Sequence, residues 1–361
     1  MNEHNKVNLV LLVNLGSPDR LSKASIKEFL RKFLSDKRVV NLPKIVWYPI
    51  LYGIILMFRP RVLLCKYREV WNEFYHSILK QLDNKCKKSE EIVTNINLES
   101  NLYANNLDIK EYISPIKYYT FEQAKQLNNV INNENILVRC AFSYSSPEII
   151  SVLDEVSSNY HIATLQVIPL YPQYSSTTTA SVFDAVSNYY KTKKFIPNLQ
   201  FCNGFASNKL YIEAVASKVQ SSFRQNGRGE KLIFSYHSIP LALCKNGDTY
   251  YNECLLTTKL IAQKLAIDDS QYIMTFQSKF GSNKWLTPAT IDIIRDLACN
   301  GVKAIDIVCP GFVSDCLETL EEIAITNKEV FLNNGGVTYN YIPCLNNDSA
   351  FINVLKDLIV I

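Results

Sequence analysis

The chain offers few of the short signatures by which function is usually read. No G-x-G-x-x-G and no G-x-x-x-x-G-K-S/T follows any strand-like run, so dinucleotide and P-loop readings lose their main support. No G-x-S-x-G elbow occurs, which removes the corresponding hydrolase reading. Ten cysteines are present, yet no two lie closer than seven positions, so there is no C-x-x-C pair and no zinc-ribbon or cluster spacing. They read as reduced, mostly core thiols of a cytosolic protein. Only four histidines occur, at positions 4, 76, 161 and 237. An excess of one charge is missing as well: 38 Lys+Arg against 34 Asp+Glu give +4. Without a clustered basic stripe no nucleic-acid partner is expected, although an anionic ligand or a lipid surface is compatible with this balance.

Long apolar runs are also absent. The N-terminal MNEHNKVNLVLLVNLGSP is broken by Asn8 and Asn14 and lacks a small-residue cleavage site, so it reads as a buried first strand and not as a signal peptide. Ile45–Phe58 holds 14 residues with Pro49 and Gly53 inside it, and reads as too short and too interrupted to span a bilayer. A soluble or peripheral protein is expected.

What is present is a repeated unit. Hydrophobic residues make up 47% and charged residues 20%, enough for a large core and too apolar for global disorder. Strand-like runs at Val7–Leu15, Ile136–Phe142, His161–Leu170 and Leu199–Phe205 each lead through a turn into a helical pattern. The second half repeats the scheme with Lys231–Tyr236, Gln271–Phe276, Ala304–Cys309 and Thr338–Ile342, and closes on a helix at Ser349–Ile359. The expected fold is α/β, two doubly wound Rossmann-like domains with parallel four-stranded sheets, related by a weak internal duplication. The expected division is 1–205 and 206–361, with the last helix packing back on the first half. Residues from about 74 to 112 are rich in Asn, Lys and Glu and read as an inserted excursion that contributes little core. Ligands of such folds sit beyond the C-terminal strand ends, in the crevice between domains.

His237 alone among the histidines ends a buried strand at that crevice, after LIFSY. Its bland reading is a satisfied polar residue; its functional reading is a base near neutral pH or a ligand for a divalent metal. Glu318, Glu321 and Glu322 follow the third strand of the same half. Asp315-x-x-Glu318 matches a capping box, while Glu318 and Glu322 are like charges four apart on one helical face. YPQYSSTTT at 171–179 reads as a helix N-cap or as the cradle for a carboxylate. Trp285, Phe312, Tyr236 and Tyr144 are candidates to line a flat apolar pocket, or simply core.

Several of these segments resemble ferrochelatases: HSIP at 237–240, TFQSKFGSNKWLTP at 275–288, PGFVSDCLETLEEI at 310–323 and PLYPQYSSTTTAS at 169–181. The N-terminal LLVNLGSP, FLSDKRVVNLP, WYPILYGIIL and FRP resemble them too, and only about 74–112 falls outside the likeness. The resemblance implies insertion of Fe²⁺ into a porphyrin held between two lobes. It implies that His237 and Glu318 are catalytic, and that His237, Glu318 and Glu322 handle the metal. Substrate-binding positions implied with them are Leu15, Tyr144, Tyr171, Tyr174, Ser175, Gln277, Ser278, Lys279 and Trp285. The segment 43–61 then corresponds to a hydrophobic lip that admits the porphyrin and touches the membrane. Metallation must remove two pyrrole protons and desolvate the ion, and a base on one face with carboxylates on the other suits both tasks.

The chain departs from the family pattern at three places. Ser143-Tyr144 stands where an Arg-Tyr pair is usual, Cys316 where a His is common, and Ile113-Ser114-Pro115-Ile116 where Gly-Ser-Pro-Leu is usual. Some relatives carry a 2Fe-2S cluster on C-terminal cysteines; only Cys344 lies in that region, so no cluster and no permanently bound cofactor is expected. The expected substrates are protoporphyrin IX and Fe²⁺, giving protohaem in the terminal step of haem synthesis. Coproporphyrin III is the alternative, with Leu15 and the apolar lip favouring protoporphyrin. A non-catalytic tetrapyrrole or metal carrier on the same scaffold is the second class, and a cobalt chelatase the third. A cytoplasmic monomer with peripheral contact to the inner membrane through the lip is the working expectation.

Overall fold

The computed structural model describes residues 6–86, 113–279 and 284–361. Eight strands form two parallel sheets. The first contains β1 (Lys6–Asn14), β2 (Ile136–Phe142), β3 (His161–Pro169) and β4 (Asn198–Phe201) in the order β2-β1-β3-β4. The second contains β5 (Lys231–His237), β6 (Tyr272–Gln277), β7 (Ala304–Val308) and β8 (Thr338–Ile342) in the equivalent order β6-β5-β7-β8. Leu9 through Val13 of β1 are fully buried, because helices cover both faces of a parallel sheet and both side-chain sets must be apolar. In each half the chain leaves its central strand first to one side and then to the other. The reversal opens a crevice at the C-terminal ends of β1 and β3, and again at those of β5 and β7.

The two halves share one core. Val10, Leu12 and Ile168 of the first sheet belong to the same buried cluster as Leu232, Phe234 and Val308 of the second. Polar ties reinforce it across the halves. Gln123 Nε2 donates to Ser314 Oγ at 3.0 Å and to Asn346 O at 2.6 Å. The final helix, Ser349–Asp357, puts Phe351 against Phe205, and Gln166 then clasps the tail beyond it. That amide donates to Leu358 O at 2.6 Å and accepts from Val360 N at 3.0 Å.

The lip segment differs from its expected form. Pro49 and Gly53 do not interrupt it: helix Lys44–Ile50 passes through a wider π turn at Leu51–Ile55 and continues as Leu56–Cys86. Pro49 lies inside the helix, where it removes the amide that would bond the Ile45 carbonyl, and the wide turn follows at once. The stretch Lys44–Ile78 is thereby long and apolar enough to cross a membrane by length and composition, and 22% of its most apolar window is buried within the protein. One side of it, with Trp47, Leu51, Leu56, Val70 and Trp71, packs on Ile26, Leu30 and Leu34. The other side leaves Ile45 85% and Phe58 61% exposed.

The expected excursion at 74–112 is also corrected at its start. The helix runs on to Cys86, and residues 87–112 lie outside the described residues. Phe74 is buried, its ring 5.4 Å from that of Tyr118 and 5.5 Å from that of Tyr119, on the helix Pro115–Ile131. Phe74→Ala is expected to cost about 3 kcal/mol in urea unfolding; a change within about 0.5 kcal/mol contradicts this packing.

Candidate active site

His237 owes its place to β5. Leu232 through Tyr236 are buried, and the strand ends as it reaches the crevice, leaving the imidazole half-buried. Its Nδ1 lies 2.7 Å from the carbonyl oxygen of Ser238. A carbonyl only accepts, so Nδ1 carries a proton, and in the neutral imidazole Nε2 keeps the lone pair that can take a proton or meet a metal ion. The Phe312 ring, 6.5 Å away, stands at its side.

The acidic side is a turn wound with i→i+5 hydrogen bonds, Glu318–Asn327, which follows β7 and continues as Lys328–Asn333. Such turns are uncommon and cluster at functional sites. The capping box expected from Asp315-x-x-Glu318 does not form. The Asp315 carboxylate instead accepts from Thr319 Oγ1, the Tyr341 hydroxyl, Cys344 N and Asn346 Nδ2. Nothing in helix capping therefore claims the Glu318 side chain.

Two residues at the end of β6 hold the turn. Gln277 is buried and pairs along the backbone with His237. Its amide accepts from Ser235 Oγ at 2.8 Å and donates to Glu318 O at 2.7 Å. Ser278 sits in the left-handed region at φ +63°, a conformation that costs a non-glycine residue roughly 1–2 kcal/mol. In that conformation its N–H donates to Glu322 Oε1 at 2.7 Å and its hydroxyl donates to Oε2. Burial raises the Glu322 pKa above the usual carboxylate range, and neighbouring Glu318 adds to this. The two Ser278 bonds and the His237 imidazole work in the opposite direction.

The remaining expected positions are distributed unevenly. Leu15 is half-buried at the end of β1. Tyr171 is half-buried beside Ser143, its phenol pKa pushed up by burial. Trp285 is half-buried, bridges Pro240 through its backbone, and its indole N–H has no partner among the described residues. Lys279 is exposed, next to 280–283, which lie outside the described residues. Tyr144 is buried with its hydroxyl 2.8 Å from Asp36 Oδ2 and 3.0 Å from Ser181 Oγ, which commits it to the N-terminal half.

The 171–179 loop is not an open carboxylate cradle. Its donors already serve two acids of the second half: Glu253 takes Tyr174 N at 2.8 Å, and Asp248 takes Ser175 Oγ and Ser176 N. Nor do His237, Glu318 and Glu322 gather into a cage. Among the described residues no three His, Cys, Asp or Glu side chains stand close enough to hold an ion. Sequence reasoning missed the cations on this side, Arg59 and Lys66, both on the helix that continues the lip.

The ferrochelatase family profile matches residues 8–99 and 93–360. The ferrochelatase of Teredinibacter turnerae is 39% identical over 354 residues, covering 97% of this chain and 86% of that relative. Ferrochelatase 1 of Shewanella oneidensis is 39% identical over 350 residues, covering 97% and 94%. This chain belongs to the ferrochelatase family. Among solved structures it is similar to SirB from Bacillus subtilis with Fe³⁺, at TM-score 0.50 and 11% identity, covering 68% of this chain and 91% of that one. That likeness extends to the two-sheet fold alone. Membership makes the protein a ferrochelatase in the broad sense, a lyase-type metal chelatase that inserts iron into a porphyrin.

The raised Glu322 pKa gives this ferrochelatase a pH signature. A group lifted above its ordinary value of 4.5 contributes stability that is complete below that value and lost as pH rises through the folded one. Glu322→Gln is therefore expected to gain stability relative to the wild type as the pH rises above 4.5 in thermal unfolding. A difference that does not change with pH contradicts the assignment.

Proposed function

We propose that the porphyrin is protoporphyrin IX, so that the product is protohaem and the reaction closes haem synthesis. The observation that carries this reading is the uncovered apolar face of the lip, with Ile45, Val46, Ile54, Met57, Phe58 and Val62 exposed along one helix. Such a face suits a substrate with two propionates and vinyl edges that partitions into lipid. Coproporphyrin, with four propionates, would place two more carboxylates against apolar side chains, where each needs a partner. Leu15, apolar and half-buried at the end of β1, supports the same choice.

In this reading the macrocycle lies in the cleft with the His237 Nε2 lone pair on one face, to accept a pyrrole proton. Glu318 and Glu322 stand on the other side as proton acceptors and as oxygen donors for the ion. Binding energy from the rest of the macrocycle is available to bend it, which aims the nitrogen lone pairs at the incoming metal. The protein works in the cytoplasm and rests on the inner membrane through the lip, an apolar stripe that lies in the interface without a second anchor.

The test is an anaerobic metallation assay with Fe²⁺ or Zn²⁺, read from the porphyrin absorption bands. The expected kcat/KM is at least about tenfold higher for protoporphyrin than for coproporphyrin, a difference of about 1.4 kcal/mol. A reversed preference assigns the tetrapropionate as substrate, and binding of both without metallation points to a carrier. Lipid contact is read separately by flotation with anionic vesicles. Ile54→Ser with Phe58→Ser is expected to lose vesicle binding, and unchanged flotation removes the lip from membrane contact.

A further inference from the structure

The helix Leu56–Cys86 leaves the lip and passes beside the acidic turn of the other half. Lys66 Nζ lies 2.6 Å from Glu321 Oε1, and the Glu321 side chain is only 11% exposed. The same oxygen accepts from Thr326 Oγ1 at 3.1 Å, so this carboxylate ties its own turn to the lip helix. Leu317 and Leu320 pack into the apolar cluster that contains Leu56, Tyr67, Val70 and Trp71. Arg59, half-buried one turn beyond Ile55, lies within attractive reach of Glu318.

Neighbouring acids of the turn are therefore held from opposite sides. Ser278 holds Glu322 from the second sheet, and Lys66 holds Glu321 from the lip helix. Rotating the turn about its axis would break one of these ties before it could strengthen the other. Gln277 holds the carbonyl of Glu318 and the Tyr339 hydroxyl holds that of Ile323, both from the second sheet, whereas Lys66 reaches the turn from the lip helix.

We propose that Lys66 is a positioning residue: its ion pair with Glu321 sets the rotation of the turn Glu318–Asn327 and couples the lip to Glu318 and Glu322. The proposal rests on the chelatase reading of those two carboxylates. A lip that shifts to admit or release a flat ligand carries Lys66 with it, and the acidic turn follows. Substrate entry and the placing of the carboxylates then become one movement.

The experiment uses the full-length protein and two readouts. In hydrogen exchange, Lys66→Gln is expected to speed amide exchange across 318–327 by about tenfold, while the global unfolding midpoint stays within about 3 °C of the wild type. In metallation, Lys66→Gln is expected to lower kcat by about tenfold with the porphyrin KM within about twofold, because misplacing a catalytic group acts on the chemical step. Lys66→Arg should keep wild-type kcat, and Lys66→Glu combined with Glu321→Lys should recover kcat to within about threefold. Unchanged exchange and kcat in Lys66→Gln overturn the proposal. So does a reciprocal swap no better than Lys66→Glu alone, provided the swap unfolds cooperatively; should either reversal fail to fold, Lys66→Gln decides. An inactive wild type contradicts the chelatase reading instead, and the exchange measurement still decides the coupling.

Discussion

The amide of Gln277 ties the acidic turn to the strand end that carries His237. The Gln277 backbone pairs with His237, and the amide is bonded to Ser235 at its oxygen and to the Glu318 carbonyl at its nitrogen. One buried residue thus relates the base strand to the acidic turn. Leaving either end of that amide unbonded would cost about 1–3 kcal/mol, so the strand end and the turn are held in a fixed relation. Ser278, next in sequence, extends the logic by accepting a left-handed backbone in order to give both of its donors to Glu322.

The two faces of the cleft are prepared in different ways. Among the described residues the His237 ring has one hydrogen bond, to the Ser238 carbonyl, which puts a proton on Nδ1 and leaves Nε2 available. On the acidic side the Glu318 carbonyl and the Glu322 carboxylate are each held by hydrogen bonds, and burial raises the Glu322 pKa. This asymmetry suits a reaction in which protons and a dication exchange places inside a flat ligand, since proton acceptance and ion handling need not compete for the same atoms. The ties made by Asp248, Glu253 and Gln123 join the two halves without using the side chains of His237, Glu318 or Glu322.

The strands were legible because doubly covered parallel strands read as continuous apolar runs, and each of the eight was placed to within a few residues. The helices Pro115–Ile131 and Tyr250–Leu265 were not singled out, since polar residues dilute their apolar stripes. The lip helix was hidden by Pro49 and Gly53, two breaker signals that a wide turn absorbs. Asp315 illustrates how a local motif misleads: its spacing from Glu318 fits a capping box, but its carboxylate is claimed by Tyr341, Cys344 and Asn346 from a distant strand end. The Lys66–Glu321 pair was invisible for the same reason, because only the folded chain brings the lip helix to the acidic turn. His237 could be singled out early because so few histidines compete with it.

The central claim is that His237 Nε2 acts on a porphyrin that the rest of the cleft binds without its help. The most direct measurement adds Fe²⁺ anaerobically to His237→Ala already loaded with protoporphyrin, and follows the free-base absorption bands. The account predicts that this variant binds the porphyrin as tightly as the wild type, to within about threefold, and that its free-base bands persist. Bands that collapse at the wild-type rate would show that proton removal and metal insertion proceed without the imidazole, and would contradict the account.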